Sequence, residues 1–364
     1  MIILRDDLIG LLQELERRGY QLVGPTLREG AIVYDRMTGR DPLPEGWVDE
    51  QAAGSYRLRK ADRPALFDYT LGPASAKRFL HPPEASMWRV TKQNGSLRFD
   101  SQPEVRRQAL IGLRACDLAA IAVQDRVLLE TDPIYRRHRQ GMFVLAVQCG
   151  RAGGTCFCLS QGTGPHAEQG FDLALTELSP GTKFYVEVGS DTGREVLATL
   201  RARPASADDA RQAREIWETT AHSMGRELDN RGLKEALYAA LEHPRWDEVA
   251  NRCLSCTNCT MVCPTCFCTT TEDISDLDGE GAERHRLWDS CFSLDFSYLH
   301  GGSVRQSPKS RYRQWLTHKL ASWHDQFGSS GCVGCGRCIT WCPVGIDITE
   351  EARALREPVK ANPD

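Results

Sequence analysis

The stretch Cys253-Leu-Ser-Cys256-Thr-Asn-Cys259-Thr-Met-Val-Cys263-Pro264 decides how the rest of the chain is read. A second run of the same form, Cys332-Val-Gly-Cys335-Gly-Arg-Cys338-Ile-Thr-Trp-Cys342-Pro343, follows it. Both spell CxxCxxCxxxCP. Three closely spaced thiolates wrap one corner of a cubane, and the fourth, stopped by proline, reaches the other cluster in two-cluster ferredoxins. Crossed wiring is therefore expected. One [4Fe-4S] cluster takes Cys253, Cys256, Cys259 and Cys342; the other takes Cys332, Cys335, Cys338 and Cys263. A pair of zinc ribbons is the plainer alternative, because CxxC pairs also hold zinc. Zinc needs four ligands, however, and does not call for a third cysteine at the same step followed by xxxCP.

Working outward, 364 residues leave room for two or three domains and a sizeable core. No apolar run approaches the roughly 20 residues of a membrane helix. The opening Met-Ile-Ile-Leu-Arg-Asp-Asp meets charge too soon for a secretory signal. Fifteen cysteines without such a signal point to metal thiolates in a reducing cytoplasm. A formal charge of -4 with mixed signs gives no footprint for nucleic acid, so a protein partner is the better expectation.

Residues 6–19 read as an amphipathic helix, with acids leading, arginines trailing and a glycine after. Residues 20–23 and 31–34 read as strands around a Gly24-Pro25 turn, and residues 41–94 as irregular. Residues 108–114 and 142–148 are short apolar runs separated by helical text, the form of a parallel strand-helix-strand unit. Residues 171–175 and 184–188 could add strands. No GxGxxG or GxxxxGK[ST] motif marks a nucleotide site.

Both apolar runs end on a cysteine. Cys116 follows the first, and Cys149 closes the second, ahead of Cys156-Phe-Cys158. Carboxyl ends of parallel strands are where such sheets keep their ligands. These four cysteines are thus candidates for a third [4Fe-4S] cluster, with buried, inert thiols as the alternative. Thr265-Cys-Phe-Cys268 repeats Thr155-Cys-Phe-Cys158 letter for letter. Cys266, Cys268 and Cys291 either help ligate a further cluster, with no fourth ligand identifiable, or sit beside one.

Residues 207–241 carry helical spacing and are expected to pack the two halves together. Gly334 and Gly336 are expected to leave the cubane uncrowded and free backbone N–H groups to point at sulfur. Trp341 and Phe267 are expected to shield clusters from water. Arg305, Lys309, Arg311, Arg313 and Lys319 form a basic stretch, either a solvated helix face or a docking face. No catalytic residue is identified; His81, His166, His300 and His318 stand alone in sequence.

The motifs Gly112-Leu-Arg-Ala-Cys-Asp117, Cys156-Phe-Cys158, Cys263-Pro-Thr-Cys-Phe-Cys268, Trp288-Asp-Ser-Cys291 and Cys332-Val-Gly-Cys-Gly-Arg-Cys338 together resemble two related families. These are the iron-sulfur beta subunit of cytoplasmic sulfhydrogenases and the A subunit of anaerobic sulfite reductase. The resemblance runs from about residue 108 onward. It implies a cytoplasmic electron-transfer subunit between a flavin- and 2Fe-2S-containing, NAD(P)H-reactive subunit and a hydrogenase or sulfite reductase partner.

The resulting expectation is an α/β N-terminal domain over residues 1–200, a helical linker over 201–245, and an α-helical, two-cluster ferredoxin-like domain over 246–364. Two alternatives stay open. The α/β domain could itself be a flavin- or sulfur-substrate-binding redox enzyme using Cys116, Cys149, Cys156 or Cys158 as thiols, or the clusters could be structural staples.

Overall fold

The computed structural model describes residues 1–70, 72–100 and 106–358. The chain opens with β1 (Ile2–Leu4), a helix over Arg5–Arg17, β2 (Gln21–Arg28) and β3 (Ala31–Met37). Two hairpins follow, β4 (Trp47–Ala52) with β5 (Ser55–Lys60), then β6 (Glu84–Gln93) with β7 (Ser96–Asp100). Next come β8 (Gln108–Leu113), β9 (Phe143–Val147), β10 (Leu173–Ser179) and β11 (Lys183–Val188). β12 (Thr269–Ser275) and β13 (Gly281–Trp288) lie between the two cysteine runs.

The main sheet has the order β1-β11-β10-β9-β8-β2-β3. Its centre is parallel, β2 beside β8, β8 beside β9 and β9 beside β10, with antiparallel strands at both edges. Every residue of β8 and β9 is buried, as a strand covered on both faces requires. The Ala115–Leu128 helix leads back from β8 toward β9, so Cys116 and Cys149 both fall at carboxyl ends of adjacent parallel strands.

Three sequence expectations need correction. Gly24 and Pro25 lie inside β2, and the turn falls at Glu29–Gly30, both with positive φ. Pro25 is tolerated because β8 pairs with β2 only through Gln21–Val23, so the missing N–H is needed by no neighbour. Residues 41–94 are only partly irregular: they supply β4, β5 and β6, with little regular structure between β5 and β6. The interval between the cysteine runs holds the β12–β13 hairpin besides its helices, and β13 pairs with β6 to make a four-stranded sheet that joins the halves.

The second hydrophobic core is aromatic, built on Trp246, Phe292, Tyr312 and Trp315. Residues 207–241 are divided between the two cores. Ala207–His222 lies against β10 and β11, while Leu228, Leu233 and Leu237 enter the aromatic core. The chain is thus a mixed α/β region followed by a largely helical cysteine-rich region. Among the described residues no helix is long and apolar enough to cross a membrane.

Candidate iron-sulfur centres

The two cysteine runs fold alike. In each, the third cysteine rides a four-residue helix, Asn258–Met261 or Arg337–Thr340, entered through a residue with positive φ. Two residues past each first cysteine a backbone N–H turns back onto its sulfur. Ser255 N lies 3.4 Å from Cys253 Sγ, and Gly334 N lies 3.4 Å from Cys332 Sγ. Ile346 N donates to Cys342 Sγ at 3.3 Å. Such bonds stabilise charge on sulfur and raise the potential of a cluster held there.

Cys253, Cys256, Cys259 and Cys342 line one apolar cavity, closed by Phe292, Tyr312, Trp315, Ile346 and Ile348. Cys263 stands among Cys332, Cys335 and Cys338, close enough for each thiolate to disfavour the others. The structure therefore brings together the two crossed sets. Cys338 reaches the wall of the first cavity, so the sets are neighbours. Burial pushes the Cys332 thiol up to about 12 and raises Cys259 and Cys338 well above the usual cysteine range. Ligand binding there must displace protons.

Cys116, Cys149, Cys156 and Cys158 also meet, around a cavity shared with Arg114, Met224, Cys335 and Arg337. The segment carrying Cys156 and Cys158 is fixed from the other half of the molecule: Phe157 N donates to Gly334 O at 2.8 Å, and the Thr155 and Thr340 hydroxyls are 2.7 Å apart. Arg337, buried, pairs with Asp117 at 2.9 Å and donates to Gly72 O at 3.3 Å, while its Nη1 has no acceptor among the described residues. A buried guanidinium N–H left open between Cys116 and Cys335 suits an anionic occupant. The donor set, four thiols and a cation, fits an iron-sulfur cluster.

Among the described residues no three Cys, His, Asp or Glu side chains close around one point as a single ion requires. Zinc would gather four ligands within about 2.3 Å of its centre. A cubane holds its ligands on separate irons.

A 4Fe-4S dicluster domain is matched over residues 252–346. Sulfhydrogenase 2 subunit beta of Pyrococcus furiosus is 32% identical over 295 residues, 80% of this chain and 85% of that protein. The chain belongs to the sulfhydrogenase beta-subunit family. The beta subunit of the F420-dependent formate dehydrogenase of Methanocaldococcus jannaschii is 25% identical over 171 residues, 45% of this chain and 36% of that protein. No solved structure matches.

In this sulfhydrogenase beta-family chain, several buried groups beside the thiols were missed from sequence. Arg114, Arg337 and Lys319 are buried cations beside thiols, and a lone basic residue in a sequence carries no sign of burial. Within the basic stretch Arg311 and Lys319 are buried, while Lys309 and Arg313 are partly exposed and paired with exposed carboxylates. Lys309 pairs with Asp247 at 2.9 Å, Arg313 pairs with Glu242 at 3.1 Å, Arg311 donates to Ser255 Oγ at 3.3 Å, and Lys319 is buried among thiols. Gly334 and Gly336 do more than spare the cubane: a Cβ on either would strike the backbone of Thr155 to Cys158. Trp341 packs at a tilt against Tyr56 with ring centroids 5.2 Å apart, and Phe267 packs edge-on to Trp323.

Proposed function

We propose that this chain is the electron-relaying subunit of a cytoplasmic oxidoreductase complex. It would hold [4Fe-4S] clusters at Cys253/Cys256/Cys259/Cys342, at Cys332/Cys335/Cys338/Cys263 and, in the α/β half, at Cys116/Cys149/Cys156/Cys158. Its partners would be a flavin- and 2Fe-2S-containing, NAD(P)H-reactive subunit on one side and a hydrogenase or sulfite reductase subunit on the other. When bound, the clusters supply one-electron transfer. The chain's own part is to set the ligand groups edge to edge, to exclude water with the Phe292, Tyr312 and Trp315 rings, and to place Arg337 and Lys319 as fixed positive charge.

The observation that carries the reading is adjacency. Cys335 of the second set lines the cavity of the α/β thiols, and Cys338 of the same set lines the cavity of the first. A redox-thiol enzyme in the α/β half is less well supported. Burial raises all four thiols, Cys156 to about 12, whereas a reactive thiol needs to be a thiolate.

The test is iron and acid-labile sulfide on anaerobically purified chain, with paramagnetic resonance after reduction. A Cys156→Ser, Cys158→Ser double variant is expected to lose about four irons per chain and keep the dicluster resonances. Unchanged iron in that variant would confine the relay to the C-terminal half.

A further inference from the structure

Three cysteines stand outside these sets: Cys266, Cys268 and Cys291. The β12–β13 hairpin explains how they meet. Thr269 pairs with Trp288 at its open end, and Asp289 N donates to Cys268 O at 2.9 Å, so the chain entering and the chain leaving are clamped together. The Cys291 thiol is in hydrogen-bond contact with Cys268. Cys266 lies on the wall of the same cavity and touches Cys263 of the second set.

Two buried lysines face this group. Lys319 Nζ lies 3.6 Å from Cys266 Sγ, 3.4 Å from Cys263 Sγ and 3.0 Å from Thr265 Oγ1. Lys77 Nζ sits 3.8 Å over the Trp288 ring and 3.4 Å from Met261 O. They are 5% and 4% exposed, and among the described residues neither has a carboxylate partner. Buried ammonium groups need countercharge, and among the described residues the acidic groups acting most strongly on both are cysteine thiols. Lys319 is carried by a one-turn π widening of its helix, His318–Ser322, a rare conformation that tends to mark functional side chains.

We propose that Cys266, Cys268 and Cys291 ligate a further [4Fe-4S] cluster through three of its irons, with Lys77 and Lys319 as countercharge. The fourth iron would face the cavity lined by His318 and Gln314. A two-plus core on three thiolates carries one negative charge and gains a second on one-electron reduction, which two ammonium groups balance. A Cys268–Cys291 disulfide would instead remove two of the three thiolates and leave the Cys263 and Cys266 thiols to face the lysines. Through the Cys263–Cys266 contact the site adjoins the second dicluster set, making that set a junction with three neighbours. The inference rests on the dicluster assignment and not on the cluster proposed at Cys116, Cys149, Cys156 and Cys158.

Iron and sulfide on anaerobic full-length chain test it. Cys291→Ser, and separately Cys268→Ser, should each lose about four irons, additively with the loss in the Cys156→Ser, Cys158→Ser variant. Folded Cys291→Ser chain with the wild-type iron content overturns the proposal. Iodoacetamide labelling of the wild type needs no variant: Cys266, Cys268 and Cys291 should be spared until a chelator strips the iron. Modification of all three at full iron content overturns it. A failure of the three-cluster relay would show elsewhere, as unchanged iron in the double variant.

Discussion

The two cysteine runs share spacing and backbone, yet their surroundings differ. Position by position, Leu254 answers to Val333, Ser255 to Gly334, Thr257 to Gly336 and Asn258 to Arg337. Leu254 is 63% exposed and Val333 only 3%. Ser255 and Thr257 have φ of 49° and 67°; Gly334 and Gly336 have 64° and 72°. The left-handed turns thus belong to the motif itself, and non-glycine residues can make them. Glycine is demanded in the second run because the α/β half lies against it. One run faces outward; the other is a joint between halves.

The sharpest way to break this comparison is at Arg337 and Asn258. Arg337 and Asp117 form an ion pair 5% and 1% exposed, whereas Asn258 is exposed and donates only to Trp341 O at 3.2 Å. Arg337→Met leaves the Asp117 carboxylate buried without its countercharge and should cost about 3–5 kcal/mol. Asn258→Met should cost under about 1 kcal/mol. Chemical unfolding of both variants reads the difference, and equal losses would mean that the second run is not the buried joint.

Next in size is Gly336→Ala. The new Cβ would strike the Thr155 carbonyl, a backbone atom that cannot step aside alone. Overpacking of about 1–3 kcal/mol adds to about 1 kcal/mol of left-handed strain. Thermal unfolding should fall accordingly, and iron in the α/β half should fall with it, since Thr155 leads into Cys156. Thr257→Ala, at the same backbone conformation, should be near neutral. A Gly336→Ala chain as stable as wild type would show that the close approach is not needed.

The sequence disclosed what is local. Ligand spacing is a property of adjacent residues, so the dicluster domain was legible, as were β8 and β9 with the cysteines at their ends. Distant contacts were not. β12 is exposed along nearly its whole length, so it shows no buried face to read. β4 and β5 are short and half-exposed, and proline and glycine around them suggested loop. Arg337 finds Asp117 across 220 residues, and Lys319 finds Cys263 across 56. The identical Thr-Cys-Phe-Cys segments show the limit. The first meets Cys116, Cys149 and the open N–H of Arg337, and the second meets Cys291 and two lysines. Four letters fix a local turn, and the fold supplies the company.

The smallest effect carries the opposite sign. Thr257 is β-branched and holds a positive φ at the entrance of the Asn258–Met261 helix, where its carbonyl accepts from Thr260 and Met261 N. A left-handed conformation costs an L-residue about 1–2 kcal/mol. Glycine removes that strain but adds freedom to the unfolded chain, worth about 0.5–1 kcal/mol the other way. Thr257→Gly should therefore gain about 0.5–1 kcal/mol in chemical unfolding, with the iron content of the first set unchanged. A loss instead of a gain would mean that the Thr257 side chain makes contacts the cavity needs. The first run would then be as constrained as the second, and the contrast between an outward motif and a joint would narrow to Arg337 alone.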